Sequence, residues 1–244
     1  PLVVFLHGGS STALSGLYSN EWTQVAKERG FILAMPTGAM RRQETMMPHP
    51  AWNACRMEGF MDDEKLIRMM IADISSRLPV DPGRIYVDGH SMGSAMTQRV
   101  ALVMPDLFTA AVSNSGVVTG GFMGDFDSPG VREDYPIPIW IQMGEHDVGG
   151  GTMDNNPKAR RTVHYWVNRY HLPDEDTPFT WRSGRYLNKE WRTAEGVPMV
   201  RYSTVLEKPH AITPQDCWMY YDYFMSQYSK DAEGKLYYKG KAVK

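Results

Sequence analysis

Short apolar runs alternate with helix-like segments along most of the chain. Five runs of strand length are rich in β-branched and other apolar side chains: residues 2–6, 31–35, 84–88, 109–113 and 137–143. Four intervening segments carry apolar side chains at helical spacing: residues 21–29, 62–78, 94–104 and 156–170. Alternating strands and helices of this kind are typical of a mostly parallel sheet flanked by helices. The pattern predicts a single α/β domain over residues 1–244.

The late part of the chain departs from this alternation. Residues 179–193 and 197–206 are both strand-like, and Glu195-Gly196 separates them. This spacing predicts an antiparallel hairpin added to the parallel sheet. Thr213-Pro214 then provides a cap and a first-turn proline for a final helix.

Composition narrows the classes of partner. The 244 residues carry a formal net charge of −2, which does not favour a nucleic-acid partner or an anionic membrane surface. The longest apolar runs have strand length, so no transmembrane helix is expected. Cys55 and Cys217 leave two alternatives open, one long-range disulfide or two free thiols.

A G-x-S-x-G pentapeptide, Gly89-His90-Ser91-Met92-Gly93, lies between strand 84–88 and helix 94–104. A strand that enters a helix through two glycines makes a tight turn, and this turn forces the central serine outward. The arrangement resembles the nucleophile elbow of α/β-hydrolases. Ser91 is therefore the predicted nucleophile.

A serine nucleophile needs a base and an acid that orients the base, and in this fold they follow the serine in the order acid, then histidine. Asp147 follows strand 137–143 in a glycine-rich loop and is the preferred acid. Glu145 is its nearest rival, and Asp154 lies farther along the chain. Of the seven histidines, His210 follows the last strand and precedes the final helix, where the fold places its base.

Two backbone N–H groups are expected to stabilise the negative charge that develops on the substrate oxygen. One belongs to Met92, directly after the predicted nucleophile and at the start of a helix. The other belongs to the loop His7-Gly8-Gly9-Ser10 after the first strand, with Gly9 preferred and Ser10 second. Substrate-stacking roles are considered for Trp52, Phe122 and Trp218, for which core packing is the alternative.

The chain resembles the esterase family that includes polyhydroxybutyrate depolymerases and feruloyl or acetylxylan esterases. The resemblance covers almost the whole length of the chain. Its most specific segments are Leu6-His7-Gly8-Gly9, Trp52-Asn53, Met61-Asp62-Asp63, residues 80–87, residues 89–96 and residues 105–110. The family usually carries two further strands before residue 2, so those edge strands are expected to be absent from this chain.

The resemblance implies a carboxylic-ester hydrolase without metal or organic cofactor. Feruloyl or acetyl esters of plant polysaccharides are the preferred substrates, and a polyester depolymerase is the alternative. A peptidase and a non-catalytic binding relative rank below both. Secretion is favoured, with any signal peptide outside this chain, and no oligomeric state is predicted.

Overall fold

The computed structural model describes residues 1–38, 50–56, 61–118, 126–127, 130–148, 150, 152–173 and 177–243. Its helices are α1 (Ala13–Ser19), α2 (Trp22–Arg29), α3 (Asp63–Arg77), α4 (Met92–Val103), α5 (Pro157–Arg169) and α6 (Pro214–Tyr223). The strands of its main sheet are β1 (Leu2–Leu6), β2 (Ile32–Ala34), β3 (Ile85–His90), β4 (Ala110–Asn114), β5 (Ile139–His146), β6 (Phe179–Ser183), β7 (Tyr186–Arg192) and β8 (Pro198–Pro209).

Within these residues, eight strands form one sheet in the order β2-β1-β3-β4-β5-β8-β7-β6. Neighbours from β2 to β8 pair in parallel, whereas β7 and β6 add antiparallel strands beyond β8. The predicted α/β sheet with a late antiparallel hairpin is confirmed. Residues 179–193 fold back at Gly184, whose φ is +57°, so the antiparallel part has three strands instead of two.

The core lies between the sheet and its helices. β1 is buried along its whole length, as its uninterrupted apolar sequence requires for a strand covered on both faces. α4 is buried at every position, from Met92 to Val103, and packs beneath the elbow against β3 and β4. This packing fixes the start of α4 relative to the carboxyl ends of the central strands.

One helix and one small sheet lie outside the predicted pattern. α1 carries Leu14, Leu17 and Tyr18 in exposed positions, so it has no buried apolar stripe from which a helix is predicted. A Thr12–Ser15 capping box begins this helix instead. At the other end of the chain, β9 (Tyr228–Lys230), β10 (Leu236–Tyr238) and β11 (Lys241–Ala242) form a second small sheet.

Cys55 and Cys217 are not joined by a disulfide, so the alternative with two thiols holds in this structure. No described helix is long and apolar enough to cross a membrane. Among the described residues, no group of three or more histidine, cysteine, aspartate or glutamate side chains has a geometry that suits a metal ion.

Candidate active site

Ser91 lies at a sharp turn between β3 and α4. Its φ of +57° and ψ of −116° are strained for a residue with a side chain. Its N–H donates to the carbonyl oxygen of Asn114, 2.9 Å away, on neighbouring strand β4. The flanking glycines allow the turn, because a Cβ on Gly93 would lie 2.0 Å from the Leu6 oxygen and one on Gly89 would lie 2.2 Å from the Gly93 oxygen.

His210 and Asp147 form a hydrogen-bonded pair although 63 positions separate them in the sequence. His210 Nδ1 is 2.5 Å from Asp147 Oδ1, and the Asp147 side chain is only 1% exposed while that of His210 is 35% exposed. Burial acts to raise the pKa of Asp147, but hydrogen bonds, chiefly from His210, hold that pKa below its usual value. An ionised Asp147 only accepts hydrogen bonds, so Nδ1 carries the proton and Nε2 is left as the basic atom.

A pocket of about 340 Å³ contains both the serine and the histidine. Ser91, His210, Gly8, Gly9 and His90 are among the residues that line it. Asp147 therefore lies behind the histidine, while the atoms that would meet a substrate face the pocket. The structure brings together the three residues predicted as nucleophile, base and acid, although their catalytic roles stay predictions.

The loop after β1 packs directly against the start of α4. A Cβ on Gly9 would lie 2.6 Å from Met92 Sδ, and one on Gly8 would lie 3.4 Å from Ser91 Cβ. Among the described residues, neither the Gly9 N–H nor the Met92 N–H has a hydrogen-bond acceptor. Two N–H donors beside the serine, without an acceptor in the described part of the chain, are the feature expected of an oxyanion hole. Ser10, the second choice, donates its N–H to the Pro50 oxygen at 2.9 Å.

Buried hydrogen bonds hold this loop in place. The Gly38 N–H donates to His7 Nε2 at 2.9 Å, so the proton of His7 is on Nδ1, which donates to the Gly8 oxygen at 2.6 Å. Burial lowers the pKa of His7 and favours its neutral form. Trp52 Nε1 donates to the His7 oxygen at 2.8 Å. The His7 ring and the Trp52 indole thus fix the backbone that presents Gly9.

The three aromatic residues considered for substrate stacking have different locations. Trp52 is 2% exposed and is absent from the lining of the Ser91 pocket, which favours its core-packing alternative. Trp218 is half-buried on α6, also away from this pocket, with the Arg29 guanidinium 5.0 Å from its ring centroid. Phe122 lies outside the described residues.

Several polar groups around the His210–Asp147 pair have no role that the sequence predicts. His90 has its ring centroid 4.8 Å from that of His210, and burial, assisted by repulsion from His210 and Lys208, lowers its pKa to about 4. Lys208 and Asp216 form a fully buried ion pair beside the same segment. A hydropathy pattern assigns lysine and aspartate to the surface, so the only available signal was their closeness in sequence to His210.

A serine elbow at the carboxyl end of a central parallel strand, with a histidine–aspartate pair from later loops, defines the α/β-hydrolase class. Comparison with solved structures agrees. An acetyl xylan esterase from Aspergillus awamori superposes with a TM-score of 0.66 at 18% identity, covering 89% of this chain and 86% of that one. SOBER1 of Arabidopsis thaliana superposes with a TM-score of 0.57 at 13% identity, covering 92% and 95%. At these identities the likeness shows the fold, so the chain has the α/β-hydrolase fold.

Sequence comparison gives the nearer relationships, although no family model matches the chain. Poly(3-hydroxyalkanoate) depolymerase C of Paucimonas lemoignei is 26% identical over 88% of this chain and 56% of its own length. A probable acetylxylan esterase A of Neosartorya fischeri is 30% identical over 50% of this chain and 32% of its own length. The chain spans about half the length of the depolymerase and less of the esterase. The resemblance to depolymerases and acetylxylan esterases is confirmed, and the proteins that the chain is similar to include esterases with the α/β-hydrolase fold.

Proposed function

We propose that this protein is a serine carboxylic-ester hydrolase that acts through Ser91, His210 and Asp147. The observation that carries the proposal is that Ser91 and His210 line one pocket while Asp147 binds His210 Nδ1 from behind. That bond fixes the tautomer in which Nε2 accepts a proton. The names of the relatives, esterases and a depolymerase, support the same reaction class.

In the proposed reaction, Ser91 Oγ attacks the ester carbonyl carbon while His210 Nε2 takes the hydroxyl proton. The N–H groups of Gly9 and Met92 stabilise the oxyanion, and Asp147 stabilises the imidazolium that forms. The C–O bond to the alcohol breaks, and His210 returns its proton to the leaving alcohol. Water then attacks the acyl-enzyme in the same way, which releases the acid and restores the serine.

The preferred substrates are acetyl or feruloyl esters of plant polysaccharides, with acetyl first. Acetylxylan esterases occur both among the sequence relatives and among the structural neighbours, which supports this order. A pocket of about 340 Å³ at Ser91 also suits a small acyl group.

A polyester depolymerase is the second candidate. The match to the poly(3-hydroxyalkanoate) depolymerase covers 88% of this chain, whereas the match to the acetylxylan esterase covers 50%. The longer match supports hydroxyalkanoate esters as an alternative substrate class for the same machinery.

The test compares hydrolysis of acetylated xylan, methyl ferulate and hydroxybutyrate oligomers by the wild type, Ser91→Ala and Ser75→Ala. Ser75 is an exposed serine on α3 and serves as the matched control. Loss of a serine nucleophile should lower kcat by about 10⁴- to 10⁶-fold, whereas the control should keep full activity. The substrate with the highest kcat/KM decides between the two substrate classes. A Ser91→Ala variant that keeps more than a tenth of wild-type kcat would contradict the proposal.

A further inference from the structure

A fully buried ion pair lies beneath the His210 segment. Lys208 Nζ is 2.9 Å from Asp216 Oδ2, and both side chains are 0% exposed. Lys208 lies near the end of β8, two residues before His210, and Asp216 lies in the first turn of α6. The ion pair therefore links the two ends of the segment that carries His210. The Thr213 N–H also donates to Asp216 Oδ2 at 2.7 Å, which fixes the start of the helix.

The same lysine contacts β4, the strand next to the serine turn. Lys208 Nζ donates to Asn114 Oδ1 at 3.0 Å, and Asn114 is the last residue of β4. The backbone oxygen of Asn114 accepts the Ser91 N–H at 2.9 Å. Asn114 therefore links the Lys208 ammonium group directly to the Ser91 backbone.

The third connection leads to the strand before Asp147. Gln142 on β5 donates from Nε2 to Asp216 Oδ1 at 2.9 Å. β5 and β8 approach closely beside the ion pair: a Cβ on Gly144 would lie only 2.2 Å from the Lys208 oxygen. The ion pair is thus bonded to β4 and β5, and it spans the segment that carries His210.

We propose that Lys208 is a positioning residue that fixes the segments of Ser91, Asp147 and His210 relative to one another. The inference rests on the proposed function of these three residues. A buried ion pair generally adds little net stability, because the desolvation of both charges offsets their attraction. The buried contacts of the ion pair instead fix the relative positions of the three segments. This matters for the rate, because a displacement of about 1 Å in a catalytic group can cost 10²-fold.

The decisive variant is Lys208→Met/Asp216→Asn, which removes both charges and so leaves no unpaired buried ion. The expected result is a fall in kcat of about 10- to 100-fold with KM within about threefold of wild type. The matched control is Arg201→Met/Glu190→Gln, which removes a buried ion pair of 2.7 Å between β7 and β8. This pair makes no hydrogen bond to Asn114, Gln142 or Thr213 in the described part of the chain. The control should keep wild-type kcat at a temperature where both variants are folded by circular dichroism.

A second readout does not depend on ester hydrolysis. The proton between His210 Nδ1 and Asp147 Oδ1 should give a downfield ¹H NMR signal in the wild type and in the control variant. The signal should be displaced or lost in the Lys208→Met/Asp216→Asn variant. If the wild type hydrolyses no ester, the proposed function has failed, and this signal alone decides whether Lys208 positions the pair.

Two results would overturn the inference: a kcat within twofold of wild type together with an unchanged signal, or an equal fall of kcat in the control. If the double variant does not fold, Asn114→Ala decides, because it keeps the ion pair and removes the Lys208 connection to β4, together with the hydrogen bond from Ser115 Oγ. Its kcat should fall with KM unchanged, and a wild-type kcat would contradict the proposal.

Discussion

The hydrogen bond between Asp147 and His210 permits a graded test of the proposed acid. Asp147 Oδ1 accepts from both His210 Nδ1 and the Val148 N–H, the latter at 2.7 Å. In Asp147→Asn the amide oxygen should keep that position, because both neighbours are donors. His210 then retains its tautomer and loses only the negative charge beside it.

The magnitude follows from this geometry. With Nδ1 and Oδ1 2.5 Å apart, the centres of the two charged groups are about 4 Å apart, and their attraction is about 4 kcal/mol at an effective dielectric constant of 20. That energy corresponds to a loss of about 10³-fold in kcat for Asp147→Asn. Asp147→Ala also removes the group that orients the ring and should lose about 10⁴-fold.

The assay is kcat on an activated acetate ester at a pH where the wild type is most active, with Glu145→Gln as the matched control. Glu145 is the rival carboxylate; its Oε2 accepts from the Glu207 N–H at 2.9 Å in an exposed position. The control should stay within about threefold of wild type. The reasoning is refuted if Asp147→Ala keeps a tenth of the wild-type rate, or if Glu145→Gln loses more than Asp147→Ala.

Three further predictions concern the supports of the site. Trp52→Phe keeps an aromatic side chain but removes the indole N–H that donates to the His7 oxygen. The free energy of unfolding in urea should therefore fall by about 1–2 kcal/mol, and kcat should fall with little change in KM; a fully stable and active variant would count against this role. Gly93→Ala places a Cβ 2.0 Å from a backbone oxygen and should destabilise by about 3 kcal/mol or more, whereas an unchanged melting temperature would refute the steric argument. Burial raises the pKa of Asp88 to about 7, against an opposing hydrogen bond from Trp22. Between about pH 4 and 7 the native state then keeps a proton that the unfolded state has lost, so stability should fall as pH rises, by up to about 1.4 kcal/mol per pH unit. Asp88→Asn should flatten this dependence in urea unfolding at several pH values, and a slope equal to that of wild type would disprove the assignment.

The turn at Ser91 could be predicted from the sequence, because it depends on a local pattern of residues. The two glycines around Ser91 and the strand before them identify the elbow, because only a tight turn needs both. Asp147 and His210 follow from the order in which this fold places its loops after the strands. The hydrogen bond between Asp147 and His210 could not be predicted from local sequence, because these residues are 63 positions apart and come together only when β5 pairs with β8.

Other features depend on tertiary contacts that no local pattern records. α1 was not predicted, because it is only seven residues long and begins with a capping box, and its apolar side chains are exposed instead of packed in the core. Trp52 was considered for stacking on a substrate, since large aromatic residues occur both in cores and in binding sites. Its burial and its bond to the His7 oxygen become visible only when the loop after β1 is folded.

Lys208 shows why the residues that support a site are harder to predict than those that carry its chemistry. A nucleophile or a base must reach the substrate, so it occupies a strand end or a loop that the fold fixes in advance. A supporting residue only has to reach other buried groups, and its partners come from distant parts of the chain. Asn114 and Asp216 are separated by 102 positions, yet both contact the Lys208 ammonium group. The charge that would mark such a lysine as exposed in a hydropathy pattern is the property that lets it bind both partners in the interior.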